Sequence, residues 1–513
     1  MSPNRITVHT STLFEPIRKA FLDNVSIEVD TKAGAIVGLL FRDSPDIPLP
    51  LGDGEIDLRG KVVLPGFVDS HTHIFLHSDS DRYHSLQMRD ESPVERIVRA
   101  TNHARAALMA GFTTYRDLGT EALGAADANF RDCINRGLTA GPRMFVATEA
   151  LASNGGYEIR TENRLALGST LGLSLPRAAD LVDGPFAARA GVRRRIGEGA
   201  DVIKFYGDYR KRIMRFPPDV PGPGGTIQFP PDRRERNPAI PLFSQEEMDA
   251  IVAEAKLTDV PVAAHAVETR TALMAARAGV TTIEHIFVDT EGSREEMVEE
   301  MRKQKTIWVP TLATAEEGFD EKKFSQCKAA VKQAFDRGVK LAAGGDTGVF
   351  NHGLNSREME IYMEMGIPVE DALVAGTYAG WLACGGDSSG FRFGWWDQGN
   401  RADIVALDDD PRRDPKALRK VSFVMKDGRV WKRDGQPVDM IPATSWPEPT
   451  TVAEKDVDSP KELSEEQKRR TKAAVAFVGM NPSVLSMRGS SGNPTPAASD
   501  GGWETESLDV KVR

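Results

Sequence analysis

The stretch Val62–Phe75, "VVLPGFVDSHTHIF", decides how the chain is read. A strand-like apolar run is interrupted by Pro65-Gly66 and ends on His71 and His73. Two histidines at i and i+2 of an extended segment send both rings to the same side. Such a pair either binds a metal or sits in an ordinary turn, and only the remainder of the chain distinguishes the two.

Downstream, short apolar strands alternate with helical stretches, which is the pattern of βα units on a parallel sheet. The strand candidates are 63–70, 112–117, 143–148, 201–206, 261–265, 281–285, 307–311 and 340–345. Helices are expected at 94–110, 245–257, 268–278 and 368–384, the last with Pro368 in its first turn. Eight strands and their helices over roughly 330 residues suit a (β/α)8 TIM barrel of α/β class, allowing for insertions. Two irregular segments, 151–190 and the Pro- and Arg-rich 207–243, read as lids or binding loops.

Both ends of the chain are β-rich. "RITVHTSTLF", "NVSIEVD" and "GAIVGLLF" lie before residue 62, and "ADIVALDDD" and "KVSFVMKDGRVWK" lie between 402 and 432. Lys426-Asp427-Gly428-Arg429 reads as a hairpin turn. The expected organisation is a sheet domain from 1–62 and 398–440, a barrel over 63–397, and an extension over 441–513. That extension is Pro/Ser-rich and partly disordered, with one helix at 465–477.

Composition narrows the function. With 65 Lys+Arg against 75 Asp+Glu the net charge is -10, so a nucleic-acid partner is not expected and a small-molecule substrate is. Cys133, Cys327 and Cys384 are scattered, which fits a reducing compartment. No signal peptide or apolar span of membrane length is apparent, so a cytoplasmic protein without a membrane partner is expected. A homo-oligomer is also expected, with 207–243 and the tail as candidate subunit contacts.

Barrels of this kind gather their chemistry at the C-terminal ends of the strands. Those ends carry His71 and His73, then Lys204, His265, His285 and Asp346. Taken singly, each has an ordinary reading: a turn histidine, a solvated lysine, a helix N-cap aspartate. Together they offer four imidazoles and a carboxylate, enough for two divalent first-row ions. A lysine ammonium among them would repel metal unless the amine took up carbon dioxide, becoming a carbamate able to bridge both ions.

This set and order resemble the amidohydrolase superfamily across about residues 1–435. "DVIKFYGDYR", "PVAAHA", "TTIEHI" and "GGDTGVFNHG" are similar to its imidazolonepropionase-like, Xaa-Pro dipeptidase-like and ochratoxinase-like branch. The resemblance implies a composite β-sandwich built from the terminal segments. It further implies one ion on His71 and His73, another on His265 and His285, and N6-carboxylysine at Lys204 between them. Asp346 would bind metal and serve as general acid/base while a metal-bridging hydroxide attacks the substrate carbonyl. Zinc is the default ion for such donors. Gly345 departs from the pattern, since many relatives have Thr before the aspartate.

The implied activity is hydrolysis of a C–N amide bond in an N-acyl amino acid, a dipeptide-like molecule or a cyclic amide. A lactonase or deaminase on the same site is the enzymatic alternative, and a catalytically silent barrel used for binding is the non-enzymatic one. Tyr115, Arg116, Tyr206 and His352 are candidate substrate contacts, each with a packing role as the alternative. Asn154, Tyr209 and Arg210 lie on loops expected to cover the site. His77, His84 and His103 read as loop or helix surface, and Phe205, Phe287, Trp308 and Phe350 as packing or pocket wall.

Overall fold

A computed structural model describes residues 4–47, 50–156, 177–210, 239–289 and 292–440. The 441–513 extension, its expected helix at 465–477, and residues 157–176 and 211–238 of the two irregular segments lie outside those residues.

The β-rich segments within 5–65 and 404–437 hydrogen-bond into one nine-stranded sheet. Its joint is the antiparallel pairing of Glu55–Pro65 with Ile404–Leu407, in which Ile404 faces Pro65 and Leu407 faces Val62. Alternate apolar residues such as Val8, Ile27, Val63, Ile404 and Phe423 form a buried core of their own. The Asp-Gly hairpin is present: Val421–Lys426 pairs with Arg429–Arg433, and Asp427 and Gly428 take the positive φ values, 52° and 73°, that a two-residue turn requires.

The first strand beyond the terminal sheet is Phe67–Thr72, not 63–70. Val63–Pro65 belong to the terminal sheet, and the change of partner falls at Gly66, beyond the expected boundary at 62/63. There the Gly66 N–H donates to the Asp403 carbonyl, and the next N–H, of Phe67, donates to Gly111 on the far side. A Cβ at position 66 would lie 2.1 Å from Thr113 Oγ1, so this close crossing needs glycine.

The parallel strands form two sheets. Phe67–Thr72, Phe112–Asp117 and Arg143–Val146 make one. Ile203–Tyr206, Val262–Glu268, Thr282–Val288 and Ile307–Val309 lie in order within the other, extended at one edge by Ala150–Ala152 and Ala179–Leu181, strands the sequence did not suggest. Segment 340–345 forms no ladder. It is nonetheless bonded on both sides: the Trp308 N–H donates to the Lys340 carbonyl, the Ser70 N–H to Ala343, and the Thr347 N–H to His71. At the opposite edges, Asp201 and Val202 both donate to the Val146 carbonyl.

Helices pack on these sheets through small buried faces, such as Ala100, Ala104 and Ala107 of Pro93–Met109. Gln245–Lys256 opens with a full capping box between Ser244 and Glu247, and Thr269–Ala278 occupies the expected place. Segment 368–384 is two helices, Val369–Ala375 and Tyr378–Ala383, with Pro368 as the N-cap of the first. The break has a cause: the Gly376 carbonyl accepts from Val68 N–H, and Thr377 Oγ1 bonds back to the Leu373 carbonyl. No helix among the described residues is long and apolar enough to cross a membrane.

Candidate metal centre

The strand ends bring their histidines into one row. Ring centroids are 5.4 Å apart between His73 and His71, 5.0 Å between His71 and His285, and 4.6 Å between His285 and His265. Asp346 reaches this row with Oδ1, 3.4 Å from His71 Nε2 and 3.3 Å from His73 Nε2. One donor atom each from His71, His285 and Asp346 lies within 4.8 Å of the other two, close enough to hold an ion.

Of the four ring nitrogens turned away from the row, those of His71, His73 and His285 are held by hydrogen bonds. His71 Nδ1 donates to Glu284 Oε2 at 2.8 Å, and His73 Nδ1 to the Gly119 carbonyl at 2.9 Å. His285 Nδ1 lies 2.8 Å from Thr311 Oγ1. His265 is turned the other way, with Nε2 3.6 Å from Asp208 Oδ1, which leaves its Nδ1 for the row. Asp208 is itself fixed by the Val267 and Glu268 N–H groups. A histidine ligand to a metal generally has its second nitrogen held in this way.

Electrostatics agree with a ligand role for His71, His265 and His285. Burial holds His71, His265 and His285 neutral, aided at His71 and His265 by the Lys204 charge; His265 falls to about 3. His73 differs: burial opposes its charge, but the Asp346 bond and the Glu121 carboxylate outweigh burial and raise it to about 9. Asp346, although buried, is kept ionised by His71 and His73. Its Oδ1 is buried without a hydrogen-bond partner of good geometry, as expected of an oxygen placed for a cation. Lys204 is also buried, and burial lowers it to about 8 against the pull of Glu284 and Asp346.

Strand alternation would send Glu284 and His285 to opposite faces. Both are buried facing this region because His285 and Ile286 take positive φ, 78° and 69°, and Trp308 Nε1 pins the His285 carbonyl at 2.8 Å. Trp308 is therefore an anchor. Gly345 is explained by Phe350: a Cβ at 345 would lie 2.7 Å from that ring, and the hydroxyl bonding this backbone comes from Thr314 instead.

The candidate substrate contacts separate. Tyr206 lies beside the row, its ring 4.9 Å from His265 and its hydroxyl bonded to Glu121. Tyr115 points into the packing, where its hydroxyl bonds Asn355. Arg116 is fully buried among Ser70, Thr282, Ala383 and Glu284. Both side chains thus spend their polar atoms on interior partners. His352 stacks on His103 at 4.3 Å and bonds the Leu76 carbonyl, a loop-holding position. His77, expected at the surface, is buried and bonded to Glu91. Asn154 is bonded to Asp183, Tyr209 is buried in a short strand paired antiparallel with Ala239–Pro241, and the Arg210 side chain lies outside the described residues.

Sequence reasoning passed over Glu284, Asp208, Glu121 and Thr311. The available signal was position: Asp208, Glu121 and Thr311 lie shortly beyond a strand end, and Glu284 immediately precedes His285.

The amidohydrolase family model matches residues 62–431. The ochratoxinase of Aspergillus niger is 28% identical over 84% of this chain and 88% of its own. Among solved structures, a Xaa-Pro dipeptidase with bound methionine in the active site is 28% identical, with a TM-score of 0.65 over 83% of this chain and 100% of its own. A prolidase complexed with N-methylphosphonate-L-proline is 25% identical, with a TM-score of 0.65 over 84% of this chain and 100% of its own. The chain belongs to the amidohydrolase family and is a hydrolase of carbon–nitrogen bonds.

Proposed function

We propose that the chain cleaves the amide bond of an N-acyl amino acid or dipeptide-like substrate at a centre for two divalent ions, zinc by default. The observation that carries this reading is the row of four imidazoles ending on Asp346, whose buried Oδ1 faces His71 and His73 without a hydrogen bond of good geometry. His71 and His73 would hold one ion, His265 and His285 the other, and Asp346 would join them. The relatives named ochratoxinase, Xaa-Pro dipeptidase and prolidase support the substrate class. The two parallel sheets would close as a (β/α)8 barrel with the terminal sheet as its sandwich partner. Segment 340–345, bonded to both Trp308 and Ser70, supports that closure.

Lys204 would bridge the ions as a carbamate, its neutral Nζ bonding the carbon of carbon dioxide and releasing a proton. Burial favours this by lowering the amine to about 8. Two such ions, when bound, polarise the scissile carbonyl and acidify a water. Asp346 would serve as general base towards the attacking water and as general acid towards the departing nitrogen. Tyr206 borders the place where the carbonyl would lie.

The test is a panel of N-acyl amino acids, dipeptides, lactones and aminated heterocycles, run with elemental analysis of the protein. Amide hydrolysis that chelation abolishes and zinc restores is expected. Turnover of lactones or amines alone would overturn the substrate class. Metal well under one equivalent, with chelation changing nothing, would favour a silent binding protein.

A further inference from the structure

Arg116 and Glu284 form an ion pair with neither side chain exposed, Arg116 Nη2 lying 2.9 Å from Glu284 Oε1. The remaining Arg116 contacts span the interior: Nε to the Ser70 carbonyl at 2.6 Å, and Nη1 to Thr282 Oγ1 at 2.9 Å and the Ala383 carbonyl at 3.0 Å. Glu284 Oε1 also accepts from the Thr282 hydroxyl, while Oε2 is given to His71 Nδ1. Apolar side chains of similar volume fill such a space at least as well as a buried charge pair does. Stability alone is therefore a weak reason for the pair.

Its geometry offers another. The Arg116 fork fixes the Glu284 carboxylate between two strands, and the free oxygen meets a single imidazole nitrogen. His73 is bonded to a carbonyl and His285 to a hydroxyl, while the Glu121 and Asp208 carboxylates stand 3.6 Å from the outer nitrogens of His73 and His265 respectively. Among the described residues, His71 alone of the four has a carboxylate at hydrogen-bond distance from its outer nitrogen.

We infer that Glu284, locked by Arg116, is a positioning residue for His71: it fixes the Nδ1–H tautomer and the ring orientation, so that Nε2 is aimed at the ion and strengthened as a donor. This inference rests on the metal-centre reading above. Neither residue touches substrate.

The test uses the full chain, stripped with chelator and titrated with Co2+, followed by visible absorption and elemental analysis. The wild type is expected to take two equivalents. Glu284→Gln is expected to bind one of them about 10–100-fold more weakly, with an altered absorption band. Because that variant strands the Arg116 charge, the double variant Arg116→Met/Glu284→Gln is measured beside it and is expected to show the same weakening. Glu358→Gln, at a buried acid bonded to Ala313 N–H, is the control and keeps both equivalents tight. Unchanged affinity in either folded Glu284 variant overturns the inference. So does failure of the double variant to fold, which would assign the pair to the fold. Less than one equivalent in the wild type overturns the metal-centre reading instead.

Discussion

Replacing Thr311 with valine removes one hydroxyl and keeps the side chain's shape. Thr311 is fully buried, and its Oγ1 stands 2.8 Å from His285 Nδ1. In the variant, a ring that still aims Nε2 at the ion leaves its Nδ1–H buried without an acceptor. A stranded buried donor costs about 1–3 kcal/mol, which corresponds to roughly 5- to 150-fold in metal affinity. The alternative, rotating the ring to find another partner, withdraws Nε2 and loses the ligand. Thr311→Ser separates hydroxyl from shape: it restores the acceptor and drops the β-branch, which is unfavourable at the Thr311 φ of 52°. The assay is competition for Zn2+ between the protein and a chromophoric chelator, with circular dichroism as a check on the fold. Valine is expected to weaken binding and serine to leave it near the wild type. A valine variant that binds as tightly as the wild type would refute the role assigned to His285 and its partner.

Asp346→Asn and His73→Ala are each expected to lower turnover by orders of magnitude while circular dichroism is unchanged; near-normal activity in either would sink the mechanism. Lys204→Ala is expected to lose activity and to regain part of it with added short carboxylic acids, which fill the bridging position; absence of rescue together with an unmodified lysine in the native mass spectrum would count against the carbamate. Burial raises Glu358 from 4.5 to about 8, so the unfolded chain loses this proton first, and stability from this group is present below about 4.5 and declines as pH rises to about 8. Glu358→Gln removes that titration, so the melting temperature of the variant relative to the wild type should climb across that window; a constant difference would show that Glu358 is not protonated in the fold.

Much of the centre was legible because His71, His73, Lys204, His265, His285 and Asp346 each follow a short apolar run, and the runs share one direction. What escaped depended on contacts that no local pattern encodes. Val63–Pro65 and Phe67–Thr72 form one apolar stretch in sequence, and only the change of hydrogen-bond partners at Gly66 divides them. Tyr115 and Arg116 are neighbours on a strand, so they face opposite sides. Sequence does not say which side holds the ligands, and as it happens both side chains are engaged in the interior. The helix expected over 368–384 has good helical periodicity throughout, yet Val68 takes the Gly376 carbonyl and the helix gives way to the strand.

The backbone at the strand ends bears on the same question. His285, Thr311 and Asp346 all take left-handed φ values, 78°, 52° and 63°, although none is glycine. Each such residue costs about 1–3 kcal/mol and persists only where its surroundings over-determine it. Here they do. Trp308 holds the His285 carbonyl, Thr314 holds that of Gly345, and Thr347 is bonded to both His71 and His73 through the backbone. Glycine at these positions would relieve the strain but would remove an imidazole, the hydroxyl that orients it, or the carboxylate. At these three positions the strain falls on residues whose side chains are assigned a task in the proposed centre, and the surrounding bonds hold the backbone near them. A centre built in this way should bind metal with little rearrangement, so adaptation to different substrates would have to come from the loops around it.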